Sequence, residues 1–224
     1  MKDSAQGHAS TERAGVIAQF LTHCHRKRYP ARSILIRQGD PSGELYYLVR
    51  GSVTVLLEDA RGREIVLAYL NPGDFFGELG LFEENTQRSA LVRARTGCEV
   101  ARISYSQLRG LGDDIYPALL AAMSAQMARR LAETSRKLGD LAFMDVYGRV
   151  ARALLEFCEN PEAVGTEEGT RINISRMELA RLVGCSREMV SRVLKTMETH
   201  HQILSIGKDI VVIGVFPSEI HLSP

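Results

Sequence analysis

The chain has 224 residues, enough for one large domain or two small ones, and its 45% hydrophobic share is ordinary for a protein with packed cores. Lys and Arg number 28 against 27 Asp and Glu, so net charge alone does not announce a nucleic-acid binder. No run approaches the ~18 to 20 apolar residues that a bilayer span needs, and four cysteines without C-x-x-C spacing argue against structural zinc and iron–sulfur clusters.

Residues 1–18 open the chain with small and polar side chains and lack the apolar stretch of a secretory signal. They are expected to be disordered, and the cytoplasm is the expected compartment, with no membrane partner. There Cys24, Cys98, Cys158 and Cys185 read as buried reduced thiols. His23-Cys24-His25 invites a metal reading, but neighbours on a strand point to opposite faces, so the two histidines lack the cysteine and no metal is expected.

From residue 34 to about 104, short apolar runs alternate with turn residues. Ile34-Leu35-Ile36 precedes Gly39-Asp40-Pro41, and residues 45–49 precede Gly51. Residues 53–57 precede Arg61-Gly62, and residues 65–70 precede Asn71-Pro72-Gly73, with a further run at 100–103. Strands at this spacing predict an all-β sandwich or roll.

Residues 73–90 carry the most chemistry. Gly77 lets the backbone approach an anion closely, and amides at the start of a short helical turn, with Leu79, can point at phosphate oxygens. Arg88 can meet two such oxygens with its planar fork, and Ser89 adds a hydroxyl donor. Glu78 beside a phosphate repels it, but makes sense as an acceptor for a ribose hydroxyl one step along the ligand. Donors for phosphate next to an acceptor for sugar point to a nucleotide.

Leu120, Met123, Met127, Leu131, Thr134 and Leu138 then recur at spacings of three and four, an amphipathic helix of about six turns. The stripe can pack on its own β domain or form a parallel dimer seam; its length and regularity favour the seam. The hydroxyl of Thr134, followed by Ser135, needs a partner inside an apolar seam. The pattern breaks near Gly139-Asp140, and a second helix is expected over about residues 145–158.

Ser175-Arg176-Met177-Glu178 has the form of a capping box. Val183-Gly184-Cys185 makes a turn, Gly184 permitting its left-handed conformation, and Ser186 can cap a second helix from Arg187 to about Thr199. This is helix–turn–helix spacing, with small Ala180 at the crossing and Val190, Val193 and Leu194 facing inward. Residues 171–195 hold six basic and two acidic side chains, a local excess of four that suits phosphate contact. Glu188 and Arg192 share a face, with Arg187 and Ser191 beside it. Arg suits guanine O6 and N7, and Glu suits cytosine N4. Arg176 and the Gly207-Lys208 turn read as phosphate contacts. Runs at 203–204 and 210–213 flank that turn and make a wing.

The ordered cassette of Gly77-Glu78-Leu79 and Arg88-Ser89 closely resembles that of cyclic-nucleotide-binding domains. The likeness to the bacterial cyclic AMP receptor protein (CRP/FNR) family continues through Ala94-Arg95, Ile103-Ser104-Tyr105 and residues 124–131, and covers about residues 20–214. It implies that Thr134 and Ser135 reach the purine base, one from each subunit of a homodimer. It also implies that the Arg-Glu-x-x-x-Arg of 187–192 reads G·C pairs of a TGTGA-type half-site. Two surfaces correspond to the family's RNA polymerase contacts: the acidic stretch 161–169, where Gly165 and Thr166 depart from the usual residues, and basic residues 25–28. Asp209 replaces a common Thr, and residues 215–224 form an unassigned tail.

The expected fold is α+β: disordered residues 1–18, a cyclic-nucleotide-binding β-roll (jelly roll) over 19–115, a dimerisation helix over 116–140, and a winged helix–turn–helix over 141–214. The expected function is a cyclic AMP-responsive, homodimeric regulator of transcription that binds double-stranded DNA. Cyclic AMP is its effector, and RNA polymerase its partner. Cyclic di-GMP is the nearest alternative effector, although relatives that answer to it often lose the Arg-Ser pair. A regulatory module of an enzyme or channel is a further alternative, which leaves the helix–turn–helix without a purpose. No Gly-x-Ser-x-Gly or His-Glu-x-x-His occurs, and an enzyme is not expected.

Overall fold

The computed structural model describes residues 15–83, 87–112, 114–160, 162–207 and 209–213. The chain divides into two compact units. The first holds residues up to Arg63 and Leu67–Ala132; the second holds Glu64–Val66 and the chain from Glu133 onward.

Along the first unit, with residues 64–66 and 133–143 belonging to the second, helix α1 (residues 15–22) precedes β1 (His25–Tyr29), β2 (Ile34–Ile36), β3 (Glu44–Arg50), β4 (Val53–Glu58), β5 (Glu64–Leu70) and β6 (Phe75–Phe76). The one-turn helix α2 (Leu79–Phe82) leads to β7 (Leu91–Ala94), β8 (Cys98–Ser104), α3 (Tyr105–Arg109) and the long helix α4 (Ile115–Phe143). Two four-stranded sheets result, ordered β1-β8-β3-β6 and β2-β7-β4-β5. The observed pairs are antiparallel, with Tyr46 opposite Arg102 and Phe76, and Val55 opposite Val92.

Strands β3, β6 and β8 of the first sheet carry buried residues on both faces, as the strand period of two shows, whereas edge strand β1 is mostly exposed. Tyr46, Leu48, Phe76, Cys98 and Val100 belong to one core cluster, together with Val53 and Val92 from the second sheet. Leu45, Phe75 and Ile103, one residue out of phase, belong to another, with Phe20 of α1 and Ile115, Leu119 and Met123 of α4. Phe20, Tyr47 and Phe75 pack as a ring trio, with centroids 4.9 to 6.1 Å apart. Double burial explains why β3 and β6 read as near-continuous apolar runs rather than alternating ones.

Three expectations change here. Residues 15–18, expected to be disordered, are helical, because Val16, Ile17, Phe20 and Leu21 dock on the second cluster. The helix expected to break near Gly139 runs on to Phe143; one interior glycine costs only about 1 kcal/mol, and Asp140 there pairs with Arg152. The stripe predicted along this helix divides. Met123 is buried and Leu120 packs beside it on the cell of residues from its own β-roll, whereas Leu131 is 69% exposed and Leu138 67%.

The second unit contains α5 (Val146–Cys158), β9 (Val164–Thr166), β10 (Gly169–Asn173), α6 (Arg176–Val183), α7 (Arg187–Thr199), β11 (Ile203–Ile206) and β12 (Asp209–Val212). Asp145 caps α5, its carboxylate accepting from Gly148 N at 2.7 Å. The three helices bury Val150, Leu154, Leu179, Val190, Leu194 and Met197. The sheet is ordered β11-β12-β10-β9. The acidic stretch after residue 161 thus contributes an edge strand whose Val164 pairs with Arg171. The tail 215–224 lies outside the described residues.

One buried polar residue anchors α4 to the β-roll. Gln126, 3% exposed, donates from Nε2 to Phe75 O at 2.7 Å and accepts at Oε1 from Phe75 N at 3.0 Å. Replacing it with apolar Met strands the Phe75 amide hydrogen in the core. Gln126→Met is expected to destabilise the protein by about 2 kcal/mol, within the range for an unmade buried hydrogen bond, measured by urea unfolding.

Candidate nucleotide and DNA sites

The cassette is assembled from four parts of the first unit. Gly77 follows β6 and holds φ +75°, a left-handed conformation natural to glycine. Its carbonyl accepts from Arg88 Nη1 at 3.0 Å and from the Tyr105 hydroxyl. Arg88 Nη1 also lies 3.2 Å from the Tyr105 oxygen, and Nη2 donates to Glu44 O at 2.8 Å. The Tyr46 ring lies under the guanidinium, 5.5 Å from its centroid.

Arg88 is 8% exposed, yet these three acceptors carry no formal charge. The Glu44 carboxylate is engaged elsewhere, by Tyr46 at 2.9 Å and Arg102 at 3.4 Å. Burying a cation on neutral oxygens alone is costly, and a nearby anion would offset that cost. Ser89, next to it, is exposed.

Glu78, also 8% exposed, occupies the position before α2. Its Oε1 pairs with Arg130 Nη1 at 3.2 Å, and Arg130 Nη2 donates to Phe75 O at 2.6 Å. Glu78 is therefore held by α4 while its second oxygen stays available as an acceptor. Leu79, in contrast, is half exposed at the rim. Thr134 and Ser135 are exposed on α4.

Sequence reasoning missed Tyr105, Glu44, Gln126 and Arg130 as parts of the cassette. Gln126 and Arg130 had a signal: polar residues three and seven positions beyond Met123 on the inward face of an amphipathic helix. Tyr105 and the Glu44 carbonyl had none, because only the pairing of β3 with β8 brings them to Gly77.

In the second unit, Ser175 Oγ accepts from Glu178 N at 3.1 Å and starts α6. Gly184 ends it at φ 67°, ψ 45°, and Ser186 Oγ accepts from Met189 N at 3.2 Å to start α7. The three-residue turn is thus built from one left-handed glycine and one hydroxyl cap, Ser186. Arg176, Ser186, Arg187, Glu188 and Arg192 are all exposed. Glu188 is held below the usual carboxylate range by its own backbone N–H, then by the Ser186 hydroxyl, with Arg187 and Arg192 adding attraction. It is therefore an ionised acceptor at neutral pH. Ser191 is half-buried and donates its hydroxyl to Arg187 O at 2.9 Å, so it is occupied within the helix rather than open as a donor.

Between α6, α7 and the wing lies a cleft of about 310 Å³, bordered by Ser175, Arg176, Arg187, Ser205 and Asp209. Asp209 is tied to Asn173 Nδ2 at 2.6 Å. Lys208 lies outside the described residues.

Among the described residues, no group of three or more His, Cys, Asp or Glu could hold a metal ion. Cys24 donates to Phe20 O, and burial pushes its thiol up to about 12, away from the thiolate form a metal prefers. No helix among the described residues is long and apolar enough to cross a membrane.

Residues 26–114 match the cyclic nucleotide-binding domain, and residues 148–214 the Crp-like helix-turn-helix domain. The cAMP-activated global transcriptional regulator CRP of Escherichia coli O157:H7 is 53% identical over 195 residues, covering 87% of this chain and 92% of that one. The chain belongs to the CRP/FNR family of transcription regulators. The cAMP-activated regulator Vfr of Pseudomonas aeruginosa is 51% identical over 199 residues, covering 88% and 92% of the two chains. Among solved structures, the c-di-GMP-responsive global regulator CLP of Xanthomonas campestris superposes with a TM-score of 0.87 at 45% identity, covering 90% of this chain and 100% of that one. This CRP-family chain is a DNA-binding transcription regulator with a cyclic-nucleotide-binding domain, not an enzyme.

A Cβ at residue 77 would sit 2.7 Å from Arg88 Nη1, besides the strain of a left-handed backbone. Gly77→Ala is expected to displace the guanidinium and weaken nucleotide binding at least tenfold, measured by calorimetry.

Proposed function

We propose that the chain is a cyclic AMP-responsive, homodimeric regulator that binds a TGTGA-type palindrome. The observation that carries this reading is Arg88, buried on neutral oxygens with Glu78 fixed one residue beyond Gly77. A cyclic phosphate supplies the missing negative charge to Arg88, Ser89 and the backbone of Gly77 to Leu79. A ribose hydroxyl donates to Glu78. Thr134 and Ser135, exposed on α4, take the purine, one from each subunit.

The exposed Leu131 and Leu138 support a dimer along α4. Ligand at that seam favours one arrangement of the two α7 helices by its differential affinity, and DNA must tighten ligand binding in return. On DNA, Arg187 and Arg192 read guanine, Glu188 accepts from cytosine N4, and Arg176, Ser186 and Lys208 hold phosphates, with Ser191 at the groove edge. The regulator acts in the cytoplasm, and RNA polymerase meets it at exposed β1. There Arg26 and Arg28 share Glu99, at 3.4 and 3.2 Å.

A second reading, cyclic di-GMP as effector, draws on the likeness to CLP, a c-di-GMP-responsive regulator. Calorimetry with each nucleotide separates the two. Cyclic AMP is expected to bind the wild type and to fail with Arg88→Leu, while far-UV circular dichroism of the variant stays native. Binding of cyclic di-GMP alone selects the second reading. Fluorescence anisotropy on the palindrome should show at least tenfold tighter binding with cyclic AMP, and equal affinity in both conditions refutes ligand gating. Leu131→Glu is expected to yield monomers by analytical ultracentrifugation, because it puts a charge into the seam.

A further inference from the structure

Helix α7 buries Val190, Val193, Leu194 and Met197. Met189 takes no part in that face and is 38% exposed. Arg187 and Glu188 precede it and Ser191 and Arg192 follow, so one unbranched thioether chain projects from a polar surface. At about 100° per residue, Met189 lies across Glu188 from Arg187 and about 60° from Arg192. Its Cα–Cβ bond tilts toward the helix N-terminus, which is the end a recognition helix presents to the bases.

Two hydrogen bonds narrow its role. The Met189 amide is spent on the Ser186 cap at 3.2 Å, so residue 189 meets DNA with its side chain and not as a backbone donor to phosphate. Ser191 donates its hydroxyl to Arg187 O, so that neighbour does not supply a competing polar donor. The base edges of the major groove offer one apolar feature, the C5-methyl of thymine. A flexible, polarizable thioether suits it.

We propose that Met189 reads a thymine methyl group and selects T·A over C·G at one position of each half-site. The inference rests on α7 being the recognition helix. The test begins with DNA selected from random sequence by the wild-type protein. Each thymine is then replaced singly by deoxyuridine, which removes only the methyl group, and affinity is compared between wild type and Met189→Ala. At one thymine per half-site, replacement is expected to weaken the wild type about three- to tenfold and to leave Met189→Ala unchanged. Met189→Gln, which keeps the length but not the apolar end, behaves like Met189→Ala. Equal losses in wild type and variants, or no thymine whose methyl matters, overturn the proposal. Failure of the wild type to select any sequence overturns the recognition-helix reading and this inference with it.

Discussion

The backbone of one residue, Phe75, ties the parts of the first unit together. Its amide and carbonyl are both taken by the Gln126 side chain, and the carbonyl is shared with Arg130. Both side chains come from α4, so the long helix is latched to the short strand that leads into the cassette. Phe75 itself, 1% exposed, packs between Phe20 and Tyr47. A buried backbone group held by a bidentate amide and a cation cannot shift without leaving polar atoms unpaired. The position of α4 and the position of Gly77, two residues on, are therefore one constraint.

Arg130 carries that constraint into the site. It bonds the Phe75 carbonyl and also pairs with Glu78, so one guanidinium links the helix to the acceptor proposed for the ribose. Arg88 is fixed independently by Gly77, Tyr105 and Glu44. The two arginines divide the work by their partners. Arg130 is neutralised by a carboxylate and serves structure. Arg88 rests on uncharged oxygens, which leave its charge for the anion proposed there. Identical side chains thus acquire different roles from their surroundings.

The second unit is built from local signals. Ser175 and Gly184 bound α6 and Ser186 starts α7, by capping and by one left-handed residue, each within four positions of the group it serves. The outer face of α7 combines Arg187, an ionised Glu188 and Arg192 over a buried face of Val190, Val193, Leu194 and Met197. The wing closes the cleft through the pairing of β11 with β12, where Ile206 stands opposite Asp209.

How much was legible follows from sequence distance. The strands read at 34–36, 45–49, 53–57, 65–70 and 100–103, the two caps and the Gly184 turn were readable because each signal lies within a few positions of its effect. The short β6 and β7, α1, and the strand within 164–166 were not, since their stability comes from packing partners far along the chain. The split of the α4 stripe is the clearest instance. Periodicity put Met123 and Leu131 on one stripe, but only the docked β-roll covers Met123 and leaves Leu131 exposed. Likewise Arg88 and Glu78 were identified by type and order. That Arg88 meets Glu44, 44 residues away, and Glu78 meets Arg130, 52 away, was decided by tertiary structure. The sequence determined which groups are present and where α6 and α7 start, because those depend on local dihedrals and local hydrogen bonds. Only the tertiary structure decided which charge is neutralised and which is kept open, because that depends on partners brought together by strand pairing and helix docking.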